Sequence, residues 1–200
     1  SVDGAAVAEV AQFAADRLPV EDAFVVLPHR EQREVPGIAE GAEIGGKALW
    51  TKELERALLD HEIDIAVHSM KDVETVRADI FGIVAMLPRA DVRDRLIGAE
   101  SIAALPQGAK VGTSSPRRAA QLKALRPDIT TGSIRGNVAT RLSKVENGEF
   151  DATLLAAAGL ARLGQGNIGT AIETSEMLPA ASQGAIGIDY LVERSEIAAL

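Results

Sequence analysis

Short apolar runs alternate with amphipathic segments along this chain. Runs of apolar residues predict strands at 23–27, 63–67, 81–87, 95–98, 110–113, 129–134, 152–157 and 185–190. Helical spacing predicts helices at 6–18 and 50–59. Because strands and helices alternate and the strands are almost continuously apolar, the pattern predicts an α/β fold with mostly parallel or mixed sheets.

Two further helices are marked by their capping signals. Ser115 is placed to cap a helix that begins at Pro116 and stops before Pro127. Asn137 is placed to cap a second helix, which ends near Gly148. Both helices follow predicted strands, and ligands of open α/β sheets collect where strands end and helices begin. Any binding chemistry is therefore expected at these two starts.

Arginines are concentrated at the two predicted helix starts. They lie in Gly112-Thr113-Ser114-Ser115-Pro116-Arg117-Arg118, in Ser133-Ile134-Arg135-Gly136-Asn137 and at Arg141. A positive charge at a helix N-terminus is unfavourable by about 0.3–1 kcal/mol, so the pattern predicts an anion that offsets it. Guanidinium groups form bidentate hydrogen bonds with carboxylate or phosphate, so the arginines indicate a small polyanionic ligand.

Composition narrows the class of ligand. The net charge is -8 and aromatic residues make up 3% of the chain, which disfavours both a phosphate-backbone footprint and base stacking. The chain has no cysteine and three scattered histidines, so neither a thiol site nor a metal site is predicted. No apolar run approaches the roughly 20 residues that cross a bilayer. We expect a cytoplasmic protein that binds neither nucleic acid nor membrane.

The segment Asp64-Ile65-Ala66-Val67-His68-Ser69-Met70-Lys71-Asp72-Val73 carries an apolar strand directly into a polar cluster. A surface turn with a neighbouring ion pair explains this cluster as well as a functional site does. In the functional interpretation Asp72 is a carboxylate among cations, which stays ionised and stabilises a cationic intermediate or moves a proton. His68 is interpreted as a hydrogen-bonded structural residue.

Several longer motifs match one enzyme family in both their sequence and their order along the chain. They are GGKALWTKELERALL, DIAVHSMKDV, LPRADVRD, GTSSPRRAAQLKALRPD, SIRGNVATRLSKVENGEFDATLLAAAGLARLG and MLPAASQGAIGID. Over residues 44–190 the chain closely resembles the porphobilinogen deaminase, or hydroxymethylbilane synthase, family. The resemblance implies a transferase of tetrapyrrole and heme biosynthesis that condenses four porphobilinogen molecules into hydroxymethylbilane and releases ammonia. It also implies a dipyrromethane cofactor and substrates rich in carboxylates.

The resemblance assigns roles to individual residues. Asp72 matches the catalytic aspartate, which would hold pyrrole nitrogens and stabilise the positive charge formed as ammonia leaves. The family's carboxylate-binding cations are matched by Lys71, Arg117, Arg118, Arg135 and Arg141. Positions that line the cofactor and substrate are matched by Ser69, Thr113, Ser115 and Gly136, and further cleft positions by Lys47 and Gln183. No metal ligand is implied.

The resemblance also implies a domain organisation. The expected domains resemble type II periplasmic binding proteins, with the ligand cleft between them. Domain 1 is expected at 1–100 and 184–200, and domain 2 at 101–183. The family's first strand and its third domain, whose cysteine anchors the cofactor by a thioether, are expected to be absent from this chain. A monomer is expected.

Two other functions compete with the transferase. The missing cysteine favours a non-catalytic module that binds a small polyanion, or an inactive fragment of the enzyme. Release of ammonia from porphobilinogen would exclude both. A nucleic-acid binder is disfavoured by the acidic charge and the few aromatic residues, and salt-sensitive duplex binding would be needed to revive it.

Overall fold

The computed structural model describes residues 24–26 and 47–198. The chain divides into two compact units, which we call unit 1 (residues 1–89 and 185–200) and unit 2 (residues 90–184). The helix predicted at 6–18 lies outside the described residues. Among the residues that are described, no helix has both the length and the apolar character required to span a membrane.

The described elements follow the predicted alternation. In chain order they are β1 (Phe24–Val26), α1 (Lys47–Leu59), β2 (Ile65–Ser69), a 3-10 turn (Met70–Asp72), β3 (Phe81–Met86), β4 (Asp94–Ile97), β5 (Lys110–Gly112), α2 (Pro116–Leu125), β6 (Thr130–Gly132), α3 (Val138–Glu146), β7 (Ala152–Ala156), α4 (Ala157–Arg162), β8 (Thr170–Ala171), β9 (Ile186–Leu191) and α5 (Ser195–Ala198). Each predicted strand lies within two residues of an observed one. The short elements α4, β8 and α5 were not predicted, because too few residues carry their pattern.

Unit 1 is built on one sheet with the strand order β1-β2-β9-β3. Alternate residues of a strand face opposite sides, so each face acquires its own apolar cluster. On one face α1 buries Leu54 and Leu58 against Ala66 of β2 and Leu191 of β9. On the other face Ile65 and Ile188 pack with Ile197 of α5. The sheet is therefore covered on both sides, with β9 as a central strand.

Unit 2 is built on a second sheet with the strand order β6-β5-β7-β4-β8. Its core joins strand residues to the inner face of α2. The cluster includes Leu96, Val111, Leu122, Ile129 and Leu154. Leu122 is the α2 residue that enters this core, and burying a leucine side chain contributes about 1.5–3 kcal/mol. That contact fixes α2, and with it the loop that precedes the helix.

The α/β class with mixed sheets is confirmed, but the expectation of mostly parallel pairing does not hold in unit 1. All pairs between the described strands of that unit are antiparallel. Parallel pairs join β5 to β6 and β5 to β7, while β4 runs antiparallel to β7 and β8. Strands that are buried on both faces are apolar whichever way they run, so composition did not reveal their direction.

The boundaries of the two units differ from those of the predicted domains by up to eleven residues. The chain passes from unit 1 to unit 2 after Arg89 and returns after Gly184. Residues 90–100 were expected in domain 1, whereas the structure groups them with unit 2, because β4 pairs with β7 and β8. The assignment of two domains with a ligand cleft between them stays a prediction.

Candidate functional site

The loop after β5 leads into α2 as its sequence predicts. Ser115 has extended dihedral angles, and its side chain accepts a hydrogen bond from the backbone N–H of Arg118 at 3.4 Å. The N–H of Ser115 in turn donates to Oγ1 of the buried Thr113 at 3.1 Å. The cap and Pro116 at the first helical position are both confirmed. Arg117 and Arg118 therefore lie in the first turn of α2.

A buried aspartate holds both of these arginines. Asp94 accepts hydrogen bonds from Nη2 of Arg118 at 2.8 Å, from Nη2 of Arg117 at 2.7 Å and from Nε2 of Gln183 at 2.9 Å. The Asp94 side chain is fully buried, and Arg118 also donates through Nη1 to the carbonyl of Leu154 at 2.9 Å. Three of the predicted site residues thus converge on an aspartate that was not predicted as part of the site.

The charge of Asp94 follows from these contacts. Burial acts to raise the pKa of Asp94, but the hydrogen bonds and charge of Arg118, with those of Arg117 and Gln183, outweigh it and lower the pKa. Asp94 is therefore ionised at neutral pH. The anion expected to offset two first-turn arginines is present inside unit 2, so their position by itself does not require an external ligand.

The start of α3 presents a different environment. Asn137 caps the helix by accepting the N–H of Thr140 on its Oδ1 at 2.9 Å. Gly136 has a φ of +104°, a conformation that favours glycine. Arg135 is exposed, and Arg141 donates from Nε to the carbonyl of Gly136 at 2.8 Å. The exposed Arg135 therefore lies two residues before the cap of α3.

One serine joins the two arginine-bearing loops. Ser114 donates from Oγ to the carbonyl of Ile134 at 2.7 Å and accepts the N–H of Ile134 at 3.2 Å. Its Oγ also lies 3.1 Å from Oγ of Ser133. Because β5 and β6 are parallel neighbours, their carboxyl ends meet at one edge of the sheet. The loops carrying Arg117 and Arg135 are therefore fixed to each other through backbone and hydroxyl groups.

The predicted site residues not yet described are Lys47, Ser69, Lys71 and Asp72, and all four lie on unit 1. Ser69 ends β2, and Lys71 and Asp72 are half-buried in the 3-10 turn that follows. The turn is tied to its surroundings by Thr51, whose Oγ1 donates to the Asp72 carbonyl at 3.4 Å, and by the N–H of Met70, which donates to the Ala185 carbonyl at 3.0 Å. Lys47 begins α1, and its side chain lies outside the part of the chain that the structure describes.

Sequence reasoning passed over Arg162, a further cation of unit 2. It is the last residue of α4, which follows the buried strand β7 directly. It is half-buried, and burial lowers its pKa. Arg162 follows a strand and a short helix in the sequence, and this position is the feature that could have marked it as a candidate site residue. Among the described residues, no group of three or more His, Asp and Glu side chains is arranged to hold a metal ion.

Comparison with known proteins identifies close relatives. The family model described as "Porphobilinogen deaminase, dipyromethane cofactor binding domain" matches residues 38–199. The porphobilinogen deaminase of Sphingopyxis alaskensis is 60% identical over 164 residues, which cover 80% of this chain and 52% of that protein. The porphobilinogen deaminase of Paracoccus denitrificans is 53% identical over 161 residues, covering 79% and 51%. The chain spans about half the length of these curated relatives.

Solved structures of lower similarity also match. A putative periplasmic sulfonate-binding protein SsuA from Methylobacillus flagellatus is 15% identical, with a TM-score of 0.46 over 74% of this chain and 48% of that one. The periplasmic aliphatic sulphonate binding protein SsuA from Escherichia coli is 16% identical, with a TM-score of 0.43 over 72% and 53%. Both scores are below 0.5, so the fold assignment rests on the strands and helices themselves.

Proposed function

This chain belongs to the porphobilinogen deaminase family, and we propose on that premise that it is the catalytic part of a transferase. The reaction condenses four porphobilinogen molecules into hydroxymethylbilane and releases ammonia. The observation that carries the proposal is the match of the family model, because residues 38–199 include every site residue named above. The half-buried turn bearing Lys71 and Asp72 at the end of β2 supports it.

Asp72 is assigned the central role in this proposal. Its carboxylate would accept hydrogen bonds from pyrrole N–H groups and so orient the substrate. As ammonia leaves, positive charge develops on the pyrrole, and a carboxylate held in place stabilises that charge without reorganising. Ties from Thr51 and Ala185 to the backbone of the turn limit the movement of Asp72, as such preorganisation requires.

The cations divide into two groups by exposure. Arg135 is exposed, Arg141 is half-buried at α3, and Arg117 keeps 24% of its side chain exposed. We assign these three to the acetate and propionate groups of the substrate, because guanidinium pairs with carboxylate in two-toothed geometry. Both Nη atoms of each of Arg117 and Arg118 donate hydrogen bonds inside unit 2, but Arg118 alone of these arginines is buried. We assign Arg118 the task of fixing the first turn of α2.

The residues at α3 fit a dipyrromethane cofactor, whose acetate and propionate groups are anions. The donor set there combines the exposed Arg135 with the N-terminal N–H groups of a helix of nine residues. When bound, dipyrromethane supplies the pyrrole carbon to which the first substrate is joined. Arg135, Gly136 and Arg141 would hold its carboxylates. The sequence contains no cysteine, so the contacts it offers are noncovalent.

We also propose a cytoplasmic monomer that acts on a small molecule and binds neither nucleic acid nor membrane. The net charge of -8 supports this, because an acidic surface repels nucleic acid and anionic lipid headgroups. The low aromatic content of 3% supports it as well, since single-stranded nucleic acid is usually bound by stacking on aromatic rings.

Two experiments test the proposal at different levels. Ammonia release from porphobilinogen should be measured with the full-length protein and with Asp72→Asn, which keeps the shape of the side chain and removes its charge. We expect turnover in the parent protein and almost none in the variant. Near-normal turnover in Asp72→Asn would overturn the assignment of Asp72.

Calorimetric titration of this chain with a synthetic dipyrromethane tetracarboxylate tests the binding site without turnover. We expect micromolar binding that weakens with salt and is lost in Arg135→Ala. The matched control is Arg93→Ala, which removes an arginine paired with Asp91 and Glu173. Binding without ammonia release by the full-length protein would favour the polyanion-binding module over the transferase.

A further inference from the structure

The polar groups of His68, Asp189 and Arg77 meet in the interior of unit 1. Asp189 is fully buried on the central strand β9, and His68 is 1% exposed on β2. Nη2 of Arg77 donates to Oδ2 of Asp189, and Nε2 of His68 lies 3.4 Å from the same oxygen. Among the described residues, the ring nitrogens of His68 make no hydrogen bond, so His68 contacts the carboxylate by packing and is not the hydrogen-bonded residue that the sequence predicts. Oδ1 of Asp189 accepts the backbone N–H of Tyr190 at 3.1 Å. Both oxygens of this carboxylate are thus in use, and its orientation is fixed.

The sheet register explains why these side chains meet. Ala66 of β2 pairs with Asp189, so His68, two residues further along β2, points to the same face and is a diagonal neighbour of Asp189. Arg77 comes from the loop between the 3-10 turn and β3. This loop folds back over the face that α1 also covers.

Three contacts fix Arg77. Besides Asp189, its guanidinium donates from Nε to Oε1 of Glu55 on α1 at 3.0 Å. Its Cζ lies 5.1 Å from the centre of the Phe81 ring. Burial acts to lower the pKa of Arg77, but its bonds to Asp189 and Glu55 outweigh this and raise the pKa. The arginine is permanently charged and only 12% exposed, so it serves as an anchor and not as a ligand-binding group.

The network lies on both sides of the turn that carries Asp72. His68 directly precedes Ser69 and the 3-10 turn of Met70–Asp72, and Arg77 follows Asp72 by one short stretch of loop. One carboxylate therefore contacts the chain before the turn and the chain after it. Asp189 is 0% exposed, which excludes direct contact with a substrate.

Stability alone is a weak reason for such a network. Replacing a buried ion pair by well-packed apolar residues is often neutral or stabilising, because charges lose hydration when they are buried. In some proteins buried polar or ionic pairs instead specify one arrangement of the chain. Here the arrangement that they specify is the path of the backbone into and out of the Lys71–Asp72 turn.

We propose that Asp189 is a positioning residue, which holds the Lys71–Asp72 turn in its reactive geometry through Arg77 and His68. The inference rests on the proposed function, since it takes Asp72 to be the catalytic group. Asp189 acts through other residues, and its effect should appear in the rate of the chemical step and in the order of the turn. Substrate affinity should change less than the rate, because the carboxylate-binding arginines belong to unit 2 and Lys71 is the one proposed carboxylate-binding cation in the turn.

Two variants and one matched control test this proposal in the full-length protein. Arg77→Gln removes the anchoring guanidinium from the loop before β3, and the protein should still fold because the change lies in a loop. Asp189→Asn removes the carboxylate that contacts both Arg77 and His68. The control is Asp64→Asn, which removes a carboxylate from the partly exposed pair with Arg194 in the same unit. For both network variants we expect kcat to fall roughly tenfold to a hundredfold, as small misplacements of a catalytic group do. KM should stay within about twofold, and Asp64→Asn should retain parental kcat.

Hydrogen exchange supplies a readout that does not depend on turnover. The N–H of Met70 is bonded to the carbonyl of Ala185, so its exchange reports on the order of the turn. We expect faster exchange in Arg77→Gln and Asp189→Asn than in Asp64→Asn at matched global stability. The double variant should resemble either single variant in kcat, because both changes break the same link.

The outcomes separate this inference from the proposed function. Parental kcat and unchanged Met70 exchange in Arg77→Gln, with only a lower Tm, would overturn the positioning role. Absence of ammonia release by the parent protein would instead overturn the proposed function. The exchange of Met70 would then still decide whether Asp189 orders the turn.

Discussion

Asp94 accepts a hydrogen bond from Arg118 at 2.8 Å, and the carboxylate side of this pair is fully buried. The same carboxylate binds Arg117 through its other oxygen at 2.7 Å. Each arginine also donates to a backbone carbonyl, Arg117 to that of Leu178 and Arg118 to that of Leu154, but the two side chains differ in exposure. Arg118 is enclosed by protein, whereas 24% of the Arg117 side chain is exposed. This difference separates the effects of the variants below.

Removing the shared carboxylate should destabilise unit 2. In Asp94→Ala two guanidinium groups lose their counter-charge inside the protein, and breaking a buried pair in this way costs about 3–5 kcal/mol. The free energy of unfolding of the chain, measured by circular dichroism in urea, checks this. Asp91→Ala, which breaks the exposed pair with Arg93, is the control and should show a far smaller loss. Equal losses in the two variants would contradict the role of Asp94.

The stability that Asp94 provides should depend on pH in acid. Its folded-state pKa is lowered below the unfolded value of about 3.9, so its contribution is complete above that pH. As the pH falls through the folded-state pKa, the carboxylate is protonated and the contribution is lost. The difference in unfolding free energy between the parent chain and Asp94→Asn should therefore narrow as the pH is lowered from 7 to below the folded-state pKa of Asp94. A difference that stays constant across this range would argue against an ionised Asp94.

Replacing each arginine by lysine should separate structure from binding. A single ammonium cannot reach both Asp94 and the Leu154 carbonyl, so Arg118→Lys should lower the Tm by at least about 5 °C, given roughly 2–4 °C per kcal/mol for a chain of this size. Arg117→Lys should change the Tm less and weaken binding of the dipyrromethane tetracarboxylate more. Thermal melts and calorimetry on the same samples would reveal a reversed order, which would count against this division of roles.

Two glycines offer a matched test of the loop before α3. An alanine Cβ at Gly136 would lie 2.7 Å from Cγ2 of Thr140, and the φ of +104° is itself strained for alanine. We expect Gly136→Ala to cost about 1–3 kcal/mol of unfolding free energy and to weaken ligand binding by moving Arg135.

Gly148 provides the comparison. It also has a positive φ, of +73°, but its Cβ would meet nothing within 4 Å. Gly148→Ala should therefore cost roughly 1 kcal/mol, from backbone strain alone, and leave binding unchanged. If both variants lost the same stability and neither lost affinity, the close approach at Thr140 would have no functional meaning.

Local features of this fold were predictable from sequence. The strand at 152–157 and the caps at Ser115 and Asn137 depend on neighbours within a few positions, and all three are confirmed. Binding chemistry was expected in the loops after β5 and β6, and Ser114 joins these two loops. Such short-range features could be predicted because the residues that determine them are adjacent or nearly adjacent in the sequence.

Long-range partners were not predictable in the same way. Asp94 and Arg118 are 24 positions apart, and Arg77 and Asp189 are 112 apart. Neither pair leaves a periodic trace, because a single contact between distant segments has no repeat. The directions of β2 and β9 escaped prediction for a related reason, since burial on both faces gives the same apolar composition to parallel and antiparallel strands.

The central place of β9 bears on the order in which a ribosome would deliver this fold. All of unit 2 lies in the uninterrupted stretch 90–184, whereas β2 and β3 of unit 1 are joined through β9, which is made later. During synthesis unit 2 can fold as soon as it has emerged, while β2 and β3 still lack the strand between them. Until residues 186–191 arrive, both strands carry open edges that can pair wrongly with other chains. The vulnerable interval in the life of this protein is therefore the time taken to translate unit 2.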